Sequence, residues 1–120
     1  MDKPFCNKSM TTSAFFGMIR SALRRLSLHW KPRGSYLQRM RRPYTGDNKR
    51  LKWEYQCVAC KDWYPQKEVE VDHIVSVGSI KSFDDIGGFV RRLFVEEEGY
   101  QILCKPCHLQ KTHGGKKNVQ

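Results

Sequence analysis

The sequence predicts a small α+β protein with a core cross-linked by a metal ion and a basic, helical amino-terminal extension. Three observations support this: helical and strand-like apolar patterns alternate along 120 residues, two identical C-x2-C pairs lie far apart, and the excess positive charge is confined to the first half. A chain of this length fits one domain with an appendage. We expect residues 1–52 to form the extension and residues 53–120 to form the core domain.

The first half is expected to be mainly helical. Apolar residues recur every three or four positions over residues 12–29, which predicts a helix with Thr12 or Ser13 as its cap. Proline and glycine interrupt the next segment, where one short helix is predicted over residues 36–42. Residues 1–11 show no such pattern, and we expect them to be disordered.

The second half is expected to mix strands and helices. The segments LKWEYQC and EVEVDHIV read as strands, and a turn through KDWYPQK would pair them in a hairpin. YQILC is predicted to be a third short strand. Helices are predicted over residues 82–94, and from residue 105 to the glycine pair 114–115, since glycine ends helices.

The charge distribution points to a polyanionic partner. Residues 1–60 contain 13 Lys and Arg against three Asp and Glu, whereas residues 61–120 contain nine of each. Such asymmetry favours nucleic acid over an acidic membrane, and a basic surface without a partner is the alternative. The candidates for phosphate contact are Arg20, Arg24, Arg25, Arg39, Arg41 and Arg42. Each could instead belong to a solvated helix face.

Membrane insertion and secretion are not expected. No apolar run approaches the roughly 20 residues that span a bilayer, and the start MDKPFCNKSM lacks the apolar segment of a signal peptide. We therefore expect a cytoplasmic protein. In that reducing compartment, paired cysteines favour metal over disulfide bonds.

Four of the five cysteines have metal-ligand spacing. Cys57 and Cys60 form one C-x2-C pair, and Cys104 and Cys107 form the other, with 43 residues between the pairs. Four thiolates are the tetrahedral set that structural Zn²⁺ prefers. A redox or free-thiol role is the alternative, disfavoured because the pair occurs twice in one small chain. The sequence therefore predicts a zinc ion that joins two distant turns.

A second group of residues predicts a catalytic ion. Asp72 and His73 are neighbours on a predicted strand, so their side chains leave it in opposite directions. Pairing of the cysteine turns would bring His108 towards Asp72. An oxygen and a nitrogen ligand at an open site suit a divalent ion, which leaves His73 free to take a proton from water. This division of labour suits hydrolysis of a phosphodiester.

These segments resemble a known family. EVDHIV and GYQILCKPCHLQKT, preceded by CVAC, are similar to the HNH endonucleases, especially the small phage-type members. The resemblance covers residues 53–112, half of the chain. SALRRLSLHWKP is also similar, though less closely, to the basic amino-terminal region of phage members.

The resemblance implies a ββα-metal (His-Me finger) fold acting on double-stranded DNA. His73 matches the general base, and Asp72 and His108 match ligands of a catalytic ion such as Mg²⁺, Mn²⁺ or Ni²⁺. The four paired cysteines match the structural zinc ligands. His113 is expected to be solvated. A phage-encoded member would act in the host cytoplasm, and the oligomeric state, a monomer included, stays open.

One position departs from the family pattern. Gly99 stands where the family usually has an asparagine that holds the histidine, five residues before Cys104. We expect backbone, Glu98 or Gln101 to substitute for it, the alternative being a looser and slower site. Two other functions stay open: a non-catalytic, zinc-stabilised nucleic-acid-binding module, and a degenerate HNH protein that serves as a packaging accessory.

Overall fold

The computed structural model describes the backbone of residues 2–118 and the side chains of residues 2–112. The side chain of His113 therefore lies outside the described residues. Within them, the fold is small α+β, as predicted, and consists of four α-helices and two small antiparallel sheets. In chain order the elements are α1 (Thr12–Ser27), α2 (Lys31–Met40), β1 (Arg42–Pro43), β2 (Trp53–Gln56), β3 (Trp63–Pro65), β4 (Val69–His73), α3 (Ile86–Leu93), β5 (Tyr100–Cys104) and α4 (Lys105–Asn118).

The two sheets divide the strands differently from the predicted hairpin. β2 pairs with β1 and β3, whereas β4 pairs with β5, with Val69 opposite Cys104 and His73 opposite Tyr100. Pro65 offers no backbone N–H, and a short 3-10 turn over Gln66–Glu68 follows it. The chain therefore leaves the first sheet, and EVEVDHIV lies beside YQILC instead of LKWEYQC.

Helices α1 and α3 share one hydrophobic core. Phe16 from α1 packs with Phe89 and Leu93 from α3 and with Val77 and Ile80 from the loop before it. Burial of these large side chains explains why α3 forms despite two adjacent glycines, since each buried side chain contributes about 1.5–3 kcal/mol. The predicted helix over residues 82–94 is in fact a 3-10 turn over Phe83–Asp85 followed by α3.

Helix α2 packs on the strands through aromatic residues. Tyr36 lies among Tyr55, Tyr100 and Ile102, and the Trp30 indole donates a hydrogen bond of 2.7 Å to the carbonyl of Val95. The short helix predicted over residues 36–42 thus begins earlier, at Lys31, with proline in its first turn. Apolar side chains from both halves share the two cores, and the domain boundary after residue 52 stays a prediction.

The amino-terminal residues are structured, contrary to expectation. Phe5 bridges to Met10, and its ring stacks on Phe15 at a centroid distance of 4.0 Å. This contact places Phe5 in a group of aromatic rings with Phe16 and Phe83. Burial of aromatic surface offsets the entropy lost in ordering this segment.

Two helix ends also differ from prediction. Thr11, one residue before the expected cap, accepts a hydrogen bond from the backbone of Ala14 and starts α1. Helix α4 continues through Gly114 and Gly115 to Asn118. Among the described residues, no helix combines the length and apolar character needed to cross a bilayer.

Candidate functional site

The four paired cysteines meet in space. Their sulfur atoms all lie within 4.8 Å of one another, and those of Cys60 and Cys104 are 3.9 Å apart. Sulfur atoms bound to one tetrahedral zinc ion, with Zn–S distances of about 2.3 Å, are separated by about 3.8 Å. The cluster confirms that the two C-x2-C pairs come together in a geometry that could hold a metal ion such as structural zinc.

Backbone hydrogen bonds position the first cysteine pair. The backbone N–H of Cys57 donates to Asp62, and Lys61 donates back to Cys57 in a tight turn. Lys61 adopts a left-handed conformation with φ of 70°, which closes this turn after Cys60. The N–H of Val58 donates to Ile102 on β5 at 2.9 Å, so the turn lies directly against the strand that ends at Cys104.

Two thiols of this cluster, those of Cys57 and Cys107, differ in pKa. Burial raises the pKa of Cys57, but backbone N–H groups of Cys60, Cys104 and Ala59 outweigh it and lower the pKa to about 6. A hydrogen bond to Cys104, together with burial, raises the pKa of Cys107 to about 12. Cys57 thus ionises more readily than a free thiol, and Cys107 less readily. A bound cation would allow all four to be thiolates.

Asp72 and His108 form the polar centre of a second site, beside the first. Oδ1 of Asp72 lies 3.6 Å from Nε2 of His108, and the other ring nitrogen of His108 donates to Glu70 at 2.8 Å. Because Cys107 belongs to the cysteine cluster, the first turn of α4 is held where its next residue, His108, faces β4. Glu70 and Asp72 are two positions apart on β4 and therefore face α4 together.

Asp72 forms a hydrogen bond and an ion pair with neighbouring side chains. Gln101, its cross-strand neighbour, donates to Oδ2 at 2.8 Å, and the ammonium of Lys111 contacts the same oxygen. Burial raises the pKa of Asp72, but the hydrogen bonds from Lys111 and Gln101 and the nearby charges outweigh it, so the pKa lies below its usual value. The carboxylate is therefore ionised at neutral pH, which a metal ligand requires.

His73 leaves β4 in the other direction, as the strand pattern predicts. Its Nε2 lies 2.8 Å from the carbonyl oxygen of Leu93, at the end of α3. A carbonyl only accepts, so Nε2 carries the proton and the neutral ring has its lone pair on Nδ1. The ring also packs on Tyr100 at a centroid distance of 5.1 Å. The imidazole is thus oriented by backbone and by a neighbouring ring.

One cleft of about 540 Å³ reaches Asp72, His73 and His108. Part of its wall is basic and comes from the last turn of α1 and the first turn of α2. The arginines that line this wall are Arg24, Arg25 and Arg33. The three candidate catalytic residues and three positively charged side chains therefore line the same open cleft.

The other candidate arginines have different surroundings. Arg42 forms an ion pair of 2.5 Å with the buried carboxylate of Glu54 and lies over Trp63, while Arg41 lies over Trp53. Arg39 pairs with Glu97 at 2.8 Å. Arg20 lines a separate depression near the start of α1, away from the cleft. The structure thus brings only two of the six predicted arginines to the catalytic candidates.

The packing around position 99 favours glycine. A β-carbon on Gly99 would lie 2.7 Å from Val95, closer than real side chains allow. The carbonyl of Gly99 instead accepts a hydrogen bond of 2.9 Å from Ile74, just after β4. Of the groups expected to hold His73 in place of the asparagine, the backbone contacts it, through the carbonyl of Leu93, whereas Gln101 contacts Asp72. Among the described residues, Glu98 forms no side-chain hydrogen bond to His73.

Sequence reasoning missed several residues of this site. Glu70 could have been found from the alternation of EVEVDHIV, which puts it on the same face as Asp72. Lys111 could have been found one helical turn after His108. No local pattern singles out Arg33 or the carbonyl of Leu93, since both reach the site only through tertiary packing.

Asp72 and His108 present an oxygen and a nitrogen atom 3.6 Å apart, a pair that could hold a divalent cation. Ligands bound at about 2.1 Å to one ion are roughly 3.0–3.4 Å apart, close to the separation of the Asp72 and His108 atoms. The ammonium of Lys111 lies against Asp72 and 3.2 Å from the carbonyl oxygen of His73, so a divalent cation bound to Asp72 would compete with this lysine. Asp72 and His108 would hold the ion.

Comparisons of this chain with protein-family models, curated protein sequences and solved structures find no match.

Proposed function

We propose that this protein is a metal-dependent endonuclease of the HNH type, with a ββα-metal core, that hydrolyses phosphodiester bonds in double-stranded DNA. The observation that carries the proposal is the convergence of Asp72, His73 and His108 on one open cleft with a basic wall. Nothing in packing alone requires an ionised carboxylate, an oriented imidazole and a second histidine at the same surface.

The arrangement of elements supports this proposal. β4 and β5 form an antiparallel pair, and α4 follows β5 without a connecting loop. β4 contributes Asp72 and His73, and α4 contributes His108. The cysteine cluster lies at the junction of β5 and α4, so a structural zinc ion there would hold the helix at a defined angle to the strands.

The chemistry is divided between two kinds of group. Nδ1 of His73 takes a proton from the attacking water, while Nε2 stays bonded to Leu93 and keeps the ring in place. When bound by Asp72 and His108, a divalent cation supplies electrostatic stabilisation of the charge that develops on the phosphate and the leaving oxygen. Glu70 holds the Nδ1 proton of His108, which keeps Nε2 available as a ligand atom.

Incubation with supercoiled plasmid tests the proposal directly. Purified protein with added Mg²⁺, Mn²⁺ or Ni²⁺ should produce nicked or linear DNA, and product should be absent without the added ion. The His73→Ala variant, purified in parallel, controls for contaminating nucleases, because a contaminant would cut equally in both preparations. Intact plasmid with every ion, from folded and zinc-loaded protein, would contradict the nuclease assignment.

One observation favours a second candidate, a non-catalytic zinc-stabilised module that binds nucleic acid. Lys111 pairs with Asp72, and Glu70 pairs with His108, so protein groups already engage both proposed metal ligands. In this alternative, these ion pairs only stabilise the packing of α4 on β4. A divalent ion would then bind weakly, and DNA would bind without being cut.

A further inference from the structure

We infer that Arg24, Arg25 and Arg33 bind the phosphate groups that flank the hydrolysed one, and that Arg39, Arg41 and Arg42 stabilise the fold. This inference rests on the proposed function for its substrate. It assigns a role to Arg33, and it divides six arginines that look alike in the sequence into two groups.

Location is the first argument. Arg24 and Arg25 lie in the last turn of α1, Arg33 lies in the first turn of α2, and all three line the cleft that contains His73. Phosphates repeat along each strand of a duplex about every 3.4 Å of helix axis, so a strand with one phosphate at the catalytic group places its neighbouring phosphates close to the surrounding wall. Arginines on that wall position the strand without reading its bases.

Availability is the second argument. Among the described residues, neither Arg24, Arg25 nor Arg33 forms a salt bridge or a side-chain hydrogen bond. Arg24 lies 5.8 Å from the centroid of the Phe89 ring, a contact with the guanidinium face that leaves its N–H donors free. These three side chains therefore keep donors for a phosphate.

Arg39, Arg41 and Arg42 instead contact groups of the protein. Arg42 neutralises Glu54, whose side chain is only 5% exposed, and would leave a buried charge unpaired if it turned away. Arg41 lies 3.8 Å from the centre of the Trp53 ring. The Nε of Arg39 donates a hydrogen bond to the carboxylate of Glu97. Phosphate contact by these side chains would have to replace interactions that already exist.

The position of Arg33 at the start of α2 also favours an anion. It occupies the first turn of α2, where the helix dipole favours negative charge, and that turn contains no acidic residue. The neighbouring Tyr100 hydroxyl is buried and has no hydrogen-bond partner among the described residues. A phosphate bound beside Arg33 would compensate the helix terminus.

A matched pair of variants tests the assignment. Arg33→Gln and Arg39→Gln remove the same charge from the same helix, and both are made in the His73→Ala background so that DNA stays intact. The probe is a fluorescein-labelled duplex of about 20 base pairs, titrated at several salt concentrations without added divalent ions. Fluorescence anisotropy measures affinity, and circular dichroism checks folding.

We expect Arg33→Gln to reduce the slope of log affinity against log salt by about 0.9, and affinity at 0.1 M salt by about eightfold. Arg39→Gln should leave the slope unchanged. Arg33→Lys, which keeps the charge, should restore the slope and guards against a folding defect in the glutamine variant.

The possible outcomes separate the two proposals. Equal slopes for wild type and Arg33→Gln, or a larger change with Arg39→Gln, would overturn the inference while leaving plasmid cutting untouched. An Arg33-dependent slope in a protein whose wild type cuts no plasmid would support the phosphate-binding wall and reject the nuclease.

Discussion

The cysteine cluster and the Asp72–His108 site are neighbours with opposite designs. The cluster is closed: four identical ligand atoms lie within 4.8 Å of one another, and two of its residues are buried. The second site is open: its two proposed ligands come with different protein partners and line a cleft. Structural zinc sites are filled by protein ligands, whereas catalytic sites leave a position for water or substrate.

The two sites are joined by one peptide bond. Cys107 belongs to the cluster and His108 to the open site, and both lie in the first turn of α4. The open site should therefore depend on the cysteine cluster, whereas the cluster should not depend on the open site. Damage to the cluster should release α4 and disable both sites, whereas damage to the open site should leave the cluster intact. The following predictions, in order of decreasing effect, test this asymmetry.

Loss of one cluster ligand should have the largest effect. Cys104→Ser removes a buried ligand, and because zinc binding by such sites contributes about 10–16 kcal/mol, we expect loss of zinc and of the folded state together. Elemental analysis and circular dichroism measure both. Cys6→Ser is the control, since Cys6 is exposed and lies outside the cluster. A folded, zinc-free Cys104→Ser protein would contradict the asymmetry.

Loss of the proposed base should leave the fold intact. His73→Ala should reduce the rate of plasmid nicking by roughly 10²–10⁴, the usual contribution of a general base, with zinc content and thermal stability nearly unchanged. His108→Ala should instead raise the concentration of divalent ion needed for activity. If His73→Ala kept its rate at saturating ion but needed more of that ion, the two roles would be reversed.

Loss of Glu70 should have an intermediate effect confined to the open site. Glu70→Ala removes the acceptor that orients His108, and carboxylates in this position typically change metal affinity by about 10–100-fold. The measurement is the divalent-ion concentration for half-maximal nicking. Glu68→Ala, which removes an exposed carboxylate just before β4, is the matched control. The same effect from both variants would indicate general electrostatics instead of ligand orientation.

Loss of a hydroxyl beside the cluster should have the smallest effect. The oxygen of Tyr64 lies 3.2 Å from the sulfur of Cys60, and hydrogen bonding to Cys60 raises the pKa of Tyr64, which stays protonated and donates. One such bond contributes about 0.5–1.5 kcal/mol, so Tyr64→Phe should increase zinc release to a chelator by about two- to tenfold. Nicking should be unaffected. Tyr44→Phe serves as a control away from the cluster.

The sequence predicted the parts of this protein that depend on local pattern. The helix over residues 12–29, the YQILC strand and the pairing of the cysteines follow from periodicity and ligand spacing, and the structure agrees with each. The catalytic roles of Asp72, His73 and His108, and DNA as the substrate, stay predictions. The structure brings these three side chains to one cleft but does not test what they do there.

The predictions that were wrong concern contacts between residues far apart in the sequence. EVEVDHIV was expected beside LKWEYQC, because hairpins join strands that are close in sequence, yet β4 pairs with β5, which begins 27 positions after β4 ends. Residues 1–11 were expected to be disordered because they lack periodicity, yet Phe5 finds aromatic partners from α1 and from a segment near residue 83. Neither partner can be read from the local sequence.

Metal-ligand identity and strand alternation can be predicted from the sequence, because they depend only on residue type and on spacing along a few neighbouring positions. Those rules suffice to pair four cysteines, and to send Asp72 and His73 in opposite directions from one strand. Tertiary structure alone decided which arginines face the cleft. It also excluded a side chain at position 99, through the approach of Val95. Both depend on which surfaces come together when the chain packs, and no local pattern records that.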